Sequence, residues 1–139
     1  SNTSLTICPR SNGALSVGIV PLFDILSKGV KPLIGSDNIM LNSPNMIREL
    51  EFTLKIMKAY SKSYISPKDI IKLATTNGVP NSALDNNSNN CDGFLSKLNK
   101  SCIAEGQNAE FFVITNKSKN PYLSLINRTE INDFTHFFY

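Results

Sequence analysis

The residue best placed to do chemistry is a carboxylate at the end of an apolar strand. Val30, Leu33 and Ile34 suit a buried strand of a parallel sheet, and Gly35-Ser36 then releases the backbone so that Asp37 stands at the strand's carboxyl end. Parallel α/β folds keep their reactive groups at that end. Gly-Ser-Asp-Asn is also an ordinary way to finish a strand, because Asp and Asn satisfy their own backbone in turns. Asp37 therefore takes its significance from its company. A second polar turn, Arg10-Ser11-Asn12-Gly13, follows another short apolar stretch, and it lies on the same edge as Asp37 if the two strands are parallel neighbours. The other reactive side chains are isolated. His136 sits in an alternating aromatic run and reads as a strand residue, since a lone imidazole makes no metal site. Cys8, Cys91 and Cys102 are odd in number and lack CxxC spacing, so they read as reduced thiols of a cytoplasmic protein.

The elements that must position Asp37 follow from local chemistry. Ser4 to Cys8 alternates and carries β-branched residues, and Pro9 stops it as a strand. The segment 10–13 reads as a loop. A helix follows, with Pro21 in its first turn, Leu22, Phe23 and Leu26 on its apolar face and Gly29 at its carboxyl cap. Strand, helix and strand with such short connections form a βαβ unit, which makes the strands at 4–8 and 30–35 parallel. Their carboxyl ends, bearing Arg10, Ser11, Asn12 and Ser36-Asp37-Asn38, then open onto one face. The loop 38–42 is apolar for a surface turn and suits the lining of a pocket.

Ser43-Pro44 is expected to open the next helix as cap and first-turn proline. Through Tyr60, Arg48, Glu51, Lys55 and Lys58 form a solvated stripe, while Met46, Leu50, Leu54 and Met57 form a buried one. Ser66-Pro-Lys-Asp69 reads as a capping box flanked by a staple of Ile65 and Ile70, with Ile70, Leu73 and Ala74 facing inward and Asn77-Gly78 ending the helix. The Asn-rich stretch 80–92 reads as a flexible connector. Beyond it, 93–95, 109–115, 123–126 and 134–139 read as short strands separated by turns.

Composition narrows the function classes. The 139 residues allow one ordinary domain or part of a larger one. The net charge of +3 is spread along the chain without an aromatic platform, which argues against nucleic-acid binding. No apolar run approaches the roughly 18 residues of a spanning helix, so no membrane partner is expected. The chain opens on Ser-Asn-Thr and closes on His-Phe-Phe-Tyr, and both ends read as cut.

Three stretches together resemble the carboxyl-terminal part of the amidohydrolase superfamily, in the branch holding cytosine and adenosine-type deaminases and chlorohydrolases. They are Cys8-Pro-Arg-Ser-Asn12, Leu33-Ile-Gly-Ser-Asp-Asn38 with Ser66-Pro through Ala74-Thr-Thr-Asn-Gly78, and Ile103-Ala-Glu-Gly-Gln-Asn-Ala-Glu-Phe-Phe-Val-Ile114. They occur in the family's order over nearly the whole chain. The resemblance implies an α/β fold: residues 1–79 as the last two βα units and an extra helix of a (β/α)8 barrel, 80–92 as connector, and 93–139 as a small β-sandwich portion. It also implies a divalent metal, zinc or iron, in a longer polypeptide, with Asp37 as the last metal ligand and proton acceptor in hydrolysis of a C–N or C–Cl bond of a heterocyclic small molecule. Arg10, Ser11, Asn12 and Asn38 would lie at the substrate mouth.

The family's His-x-His pair and further histidines are absent from these residues, and Ile7 stands where some relatives carry a histidine before the Cys-Pro segment. The 139-residue chain alone is accordingly expected to bind no metal and to be inactive. The missing amino-terminal part of the same polypeptide is its expected partner, and the open edges of two barrel strands predict homo-oligomer formation. A non-catalytic relative that binds a small molecule or a partner fits the same residues.

Overall fold

A computed structural model describes residues 4–60, 63–78 and 111–138. The amino-terminal part is the expected βαβ unit. Strand β1 (Thr6–Ile7) pairs in parallel with β2 (Leu33–Ile34), in the register Thr6 to Leu33 and Ile7 to Ile34. The N–H groups of Leu33 and Gly35 donate to the carbonyls of Leu5 and Ile7 at 2.8 and 2.9 Å. Gly35 eases the close approach of the strands: a Cβ there would stand 3.2 Å from Thr6 Cγ2, tighter than most such contacts.

Two short helices link the strands, α1 (Pro9–Ala14) and α2 (Leu22–Ser27). The first corrects the loop expected at 10–13. Pro9 supplies a preset φ at the first helical position, and the Asn12 N–H returns to the Cys8 carbonyl at 3.0 Å. Pro21 caps α2 rather than entering its first turn. That helix closes as expected at Gly29, whose φ of +76° lets Gly29 and Val30 donate back to the carbonyls of Leu26 and Ile25.

Helix α3 (Met46–Tyr60) starts two residues later than Ser43-Pro44 predicts. The cap is Asn45, whose side chain accepts from the Arg48 N–H at 3.1 Å. Leu50, Leu54 and Met57 are buried as expected, but Met46, at the end of that stripe, is 41% exposed. Helix α4 (Pro67–Lys72) is capped by Ser66, whose Oγ accepts from the Asp69 N–H and donates to Asp69 Oδ2. Ile65 and Ile70 are both buried at its entrance. It ends before Asn77-Gly78, which belong to a separate 3₁₀ turn, Thr76–Gly78. That region covers the outer edge of β2: the Ile34 N–H donates to the Leu73 carbonyl, and Asn77 Nδ2 donates to the Pro32 carbonyl, each at 3.0 Å.

The expected connector 80–92 and the strand at 93–95 lie outside the described residues. Strand β3 (Phe111–Ile114) pairs antiparallel with β4 (Phe134–Phe138), which places His136 opposite Val113, beside a register shift between Val113 and Ile114. Between them the strand expected at 123–126 is instead helix α5 (Pro121–Arg128). Asn120 caps it through bonds to the N–H groups of Tyr122 and Leu123, and Pro121 fills its first position. It packs against α3 and α4 and sends Ile126 into the core. That core, built on Ile7, Leu22, Ile34, Leu54, Ile70, Leu73 and Ile126, fixes the strand pair from below.

Candidate functional site

The site forms where β1 and β2 end side by side. After Gly35-Ser36 the backbone enters the left-handed region, and Asp37 has φ of +57°. Among residues with a Cβ, Asp is one of the few that adopt this conformation readily. The turn aims its carboxylate at α1. There Ser11, 1% exposed, donates its hydroxyl to Asp37 Oδ2 at 2.6 Å, a short bond of the charge-assisted kind. Asp37 Oδ1 makes no hydrogen bond among the described residues. One carboxylate oxygen is therefore fixed and the other is available.

Behind Ser11 lies a residue that the sequence reading left unassigned. Glu49, on α3, is completely buried. Its Oε1 accepts from Arg10 Nη1 at 3.1 Å, and Oε2 accepts from the Arg10 backbone N–H at 3.4 Å. Arg10 Nη1 also donates to the Ser43 carbonyl at 3.2 Å. Burial pushes the Glu49 carboxyl up, and the neighbouring Arg10 guanidinium and N–H oppose that push without overcoming it. The signal for Glu49 was present in the periodicity: it stands four residues before Thr53, itself buried, on the face of Leu50, Leu54 and Met57. A carboxylate on an apolar helix face requires a partner.

Cys8 closes the other side of the strand ends. Burial raises its thiol, and the charges of Asp37 and Glu49 raise it further, against the N–H groups of Asp37 and Gly35 that favour the thiolate. Its thiol is thereby harder to ionise than that of an ordinary cysteine.

The structure thus brings Ser11 to Asp37 and turns Arg10 towards Glu49 and Ser43. The half-buried Asn12 holds the α1 turn through its backbone, while its side-chain amide has no hydrogen bond among the described residues. Asn38 is exposed, and its Oδ1 accepts from the Met40 N–H at 2.8 Å, as a turn former does. Among the described residues no three His, Cys, Asp or Glu side chains come together as a metal site. At the strand ends Asp37 offers, among the described residues, a carboxylate oxygen with no hydrogen-bond partner, which suits one ligand of a divalent ion. No helix of the described residues is long and apolar enough to cross a membrane.

Comparison with known proteins sets this site in a family. The amidohydrolase family model matches residues 1–87, which carry both strand ends, Ser11, Asp37 and Glu49. The chain is similar to a provisionally named aminohydrolase of Methanothermobacter thermautotrophicus, 39% identical over 94% of this chain and 30% of the relative. It is 28% identical to a 5-methylthioadenosine/S-adenosylhomocysteine deaminase of Pyrococcus horikoshii over 96% of this chain and 30% of that protein. An S-triazine hydrolase of Gordonia rubripertincta is 37% identical over 51% of this chain and 16% of its own length. The chain spans about a third or less of these relatives. A match across both halves of the site, and over more than half of the residues, makes the chain a member of the amidohydrolase family.

Proposed function

We propose that this chain supplies the carboxyl-terminal wall of the active site of a longer, metal-dependent amidohydrolase that removes an amino group from a heterocyclic small molecule by hydrolysis. Its two parallel strands correspond in this reading to the last two strands of a (β/α)8 barrel. The observation that carries the proposal is the asymmetric state of Asp37: Oδ2 is tied to Ser11 at 2.6 Å, while Oδ1 has no hydrogen-bond partner among the described residues.

Asp37 would be one ligand of a divalent ion, zinc or iron, whose remaining ligands come from the rest of the polypeptide. Such an ion, when bound, lowers the pKa of water towards neutrality. The chain's own residues do the rest. The Asp37 carboxylate takes the proton from the attacking water, the water oxygen bonds to the sp² ring carbon, and the proton is delivered to the departing nitrogen, which leaves as ammonia. The Ser11 hydroxyl holds the carboxylate in one orientation through this cycle. Asn12 and Asn38 remain candidates for contact with the heterocycle, and Arg10 contributes to the wall through Glu49 and Ser43. The names of the deaminase relatives favour C–N hydrolysis over cleavage of a C–Cl bond, to which the site is also suited.

The test is the purified full-length polypeptide, loaded with zinc or ferrous iron and supplied with amino- and chloro-substituted purines, pyrimidines and triazines. Release of ammonia is expected. Release of chloride alone would move the assignment to the dehalogenating branch, and metal-loaded protein that releases neither would overturn it.

A further inference from the structure

Glu49 is an unusual expense for this fold. A completely buried carboxylate on an apolar helix face gives up its hydration, and among the described residues only two donors of a single residue, Arg10, offset this. A purely structural anchor at that position would be served by another apolar side chain. What Glu49 grips explains its presence: Arg10 is the second residue of α1, and Ser11 is the third. The helix is only 6 residues long, its cap residue Cys8 makes no side-chain capping bond, and its first turn contains no acid to steady it. Glu49 holds the backbone N–H and the guanidinium of Arg10 together, and Arg10 passes the grip to the Ser43 carbonyl at the entrance of α3.

We propose that Glu49 is a positioning residue for the active-site carboxylate: by clamping Arg10 it sets the first turn of α1, and so aims the Ser11 hydroxyl at Asp37 Oδ2. The proposal rests on the role given to Asp37 above, and it extends the site by two residues that touch neither metal nor substrate. The chain of contacts runs from Glu49 to Arg10, along one peptide to Ser11, and across a 2.6 Å bond to Asp37. Outer partners of this kind set the orientation of a ligand, and their loss typically costs about 10–100-fold in metal affinity or activity.

A double-mutant cycle in the full-length polypeptide tests it, with E49Q, S11A and E49Q/S11A compared for zinc affinity by titration of the metal-free protein, for kcat, and for the carboxyl carbon resonance of Asp37 without metal. Glutamine keeps the shape and one acceptor of Glu49. If the grip acts through Ser11, E49Q weakens zinc binding about tenfold and moves the Asp37 resonance towards that of S11A, and the double variant is no worse than S11A alone. Effects that multiply in the double variant, or an Asp37 resonance unmoved by E49Q, would overturn the proposal. Should E49Q fold poorly, E49M supplies the same comparison, because methionine removes both acceptors of Arg10 and leaves no buried charge. The resonance arm stands apart from catalysis: wild-type protein that neither binds metal nor hydrolyses anything would refute the proposed function, while the coupling between Glu49 and Asp37 would still be read.

Discussion

Asp37 combines a demanding backbone with a demanding side chain, and the two can be separated by substitution. Asn tolerates φ of +57° about as well as Asp, whereas Ala does not. D37N in the full-length polypeptide is therefore expected to unfold within ~0.5 kcal/mol of wild type while losing about 100-fold or more of its ammonia release. Comparable losses of stability and activity would instead make Asp37 a turn residue only. Glu49 has its own signature. Its carboxyl binds a proton more tightly folded than unfolded because burial outweighs Arg10. The resulting contribution to stability is fully present below the ordinary carboxylate range, and it is lost as pH rises through the raised folded value. The stability of wild type relative to E49Q should accordingly increase as pH falls from about 7 to about 4 in chemical denaturation. A flat or opposite trend would show that the ion pair with Arg10 dominates. The place of Asp37 at a strand end was legible in the sequence because a strand-ending acid is local information. Glu49 was not, because its meaning depends on which residue of a distant turn reaches it, and because the charged neighbours Arg48 and Glu51 make the helix read as ordinary.

At the scale of elements, the readable signals were those that a few neighbouring residues generate. The parallel pair β1 and β2, α2 with its glycine cap, and the core of α3 all follow from apolar runs punctuated by Pro and Gly. Two misreadings share a cause. Arg10 to Gly13 and Leu123 to Ile126 are too short for a helical period to show, yet both become helices behind a proline at the first position. The Asn120-Pro121 pair was the available cue for α5. The displaced start of α3 makes a clean prediction. N45A removes the side-chain acceptor for the Arg48 N–H and should cost about 1 kcal/mol in denaturant unfolding, whereas S43A should change little. In the core L54A should cost about 2–5 kcal/mol, because Leu54 is 1% exposed in the cluster that also holds Ile7, Ile34 and Ile126. Equal effects of N45A and S43A would return the cap to Ser43.

On the scale of the whole molecule, the proposed function makes these residues one wall of a larger site. Its strands meet side by side, and the edge of β2 that was expected to be open is occupied by Leu73 and Asn77. Around the strand ends, however, apolar side chains stand in solvent: Val17 is 67% exposed, Ile39 70% and Met40 88%. Such a surface is costly in isolation. The 139-residue chain by itself is expected to self-associate in light scattering, and to do so less when the amino-terminal remainder of the polypeptide is supplied; a stable monomer would count against the barrel reading. The direct test is a crystal structure of the zinc-loaded full-length protein. Asp37 Oδ1 is expected at about 2.0–2.2 Å from the metal, with Oδ2 still held by Ser11. A metal bound elsewhere, with the Asp37 carboxylate turned away from it, would refute Asp37 as a ligand.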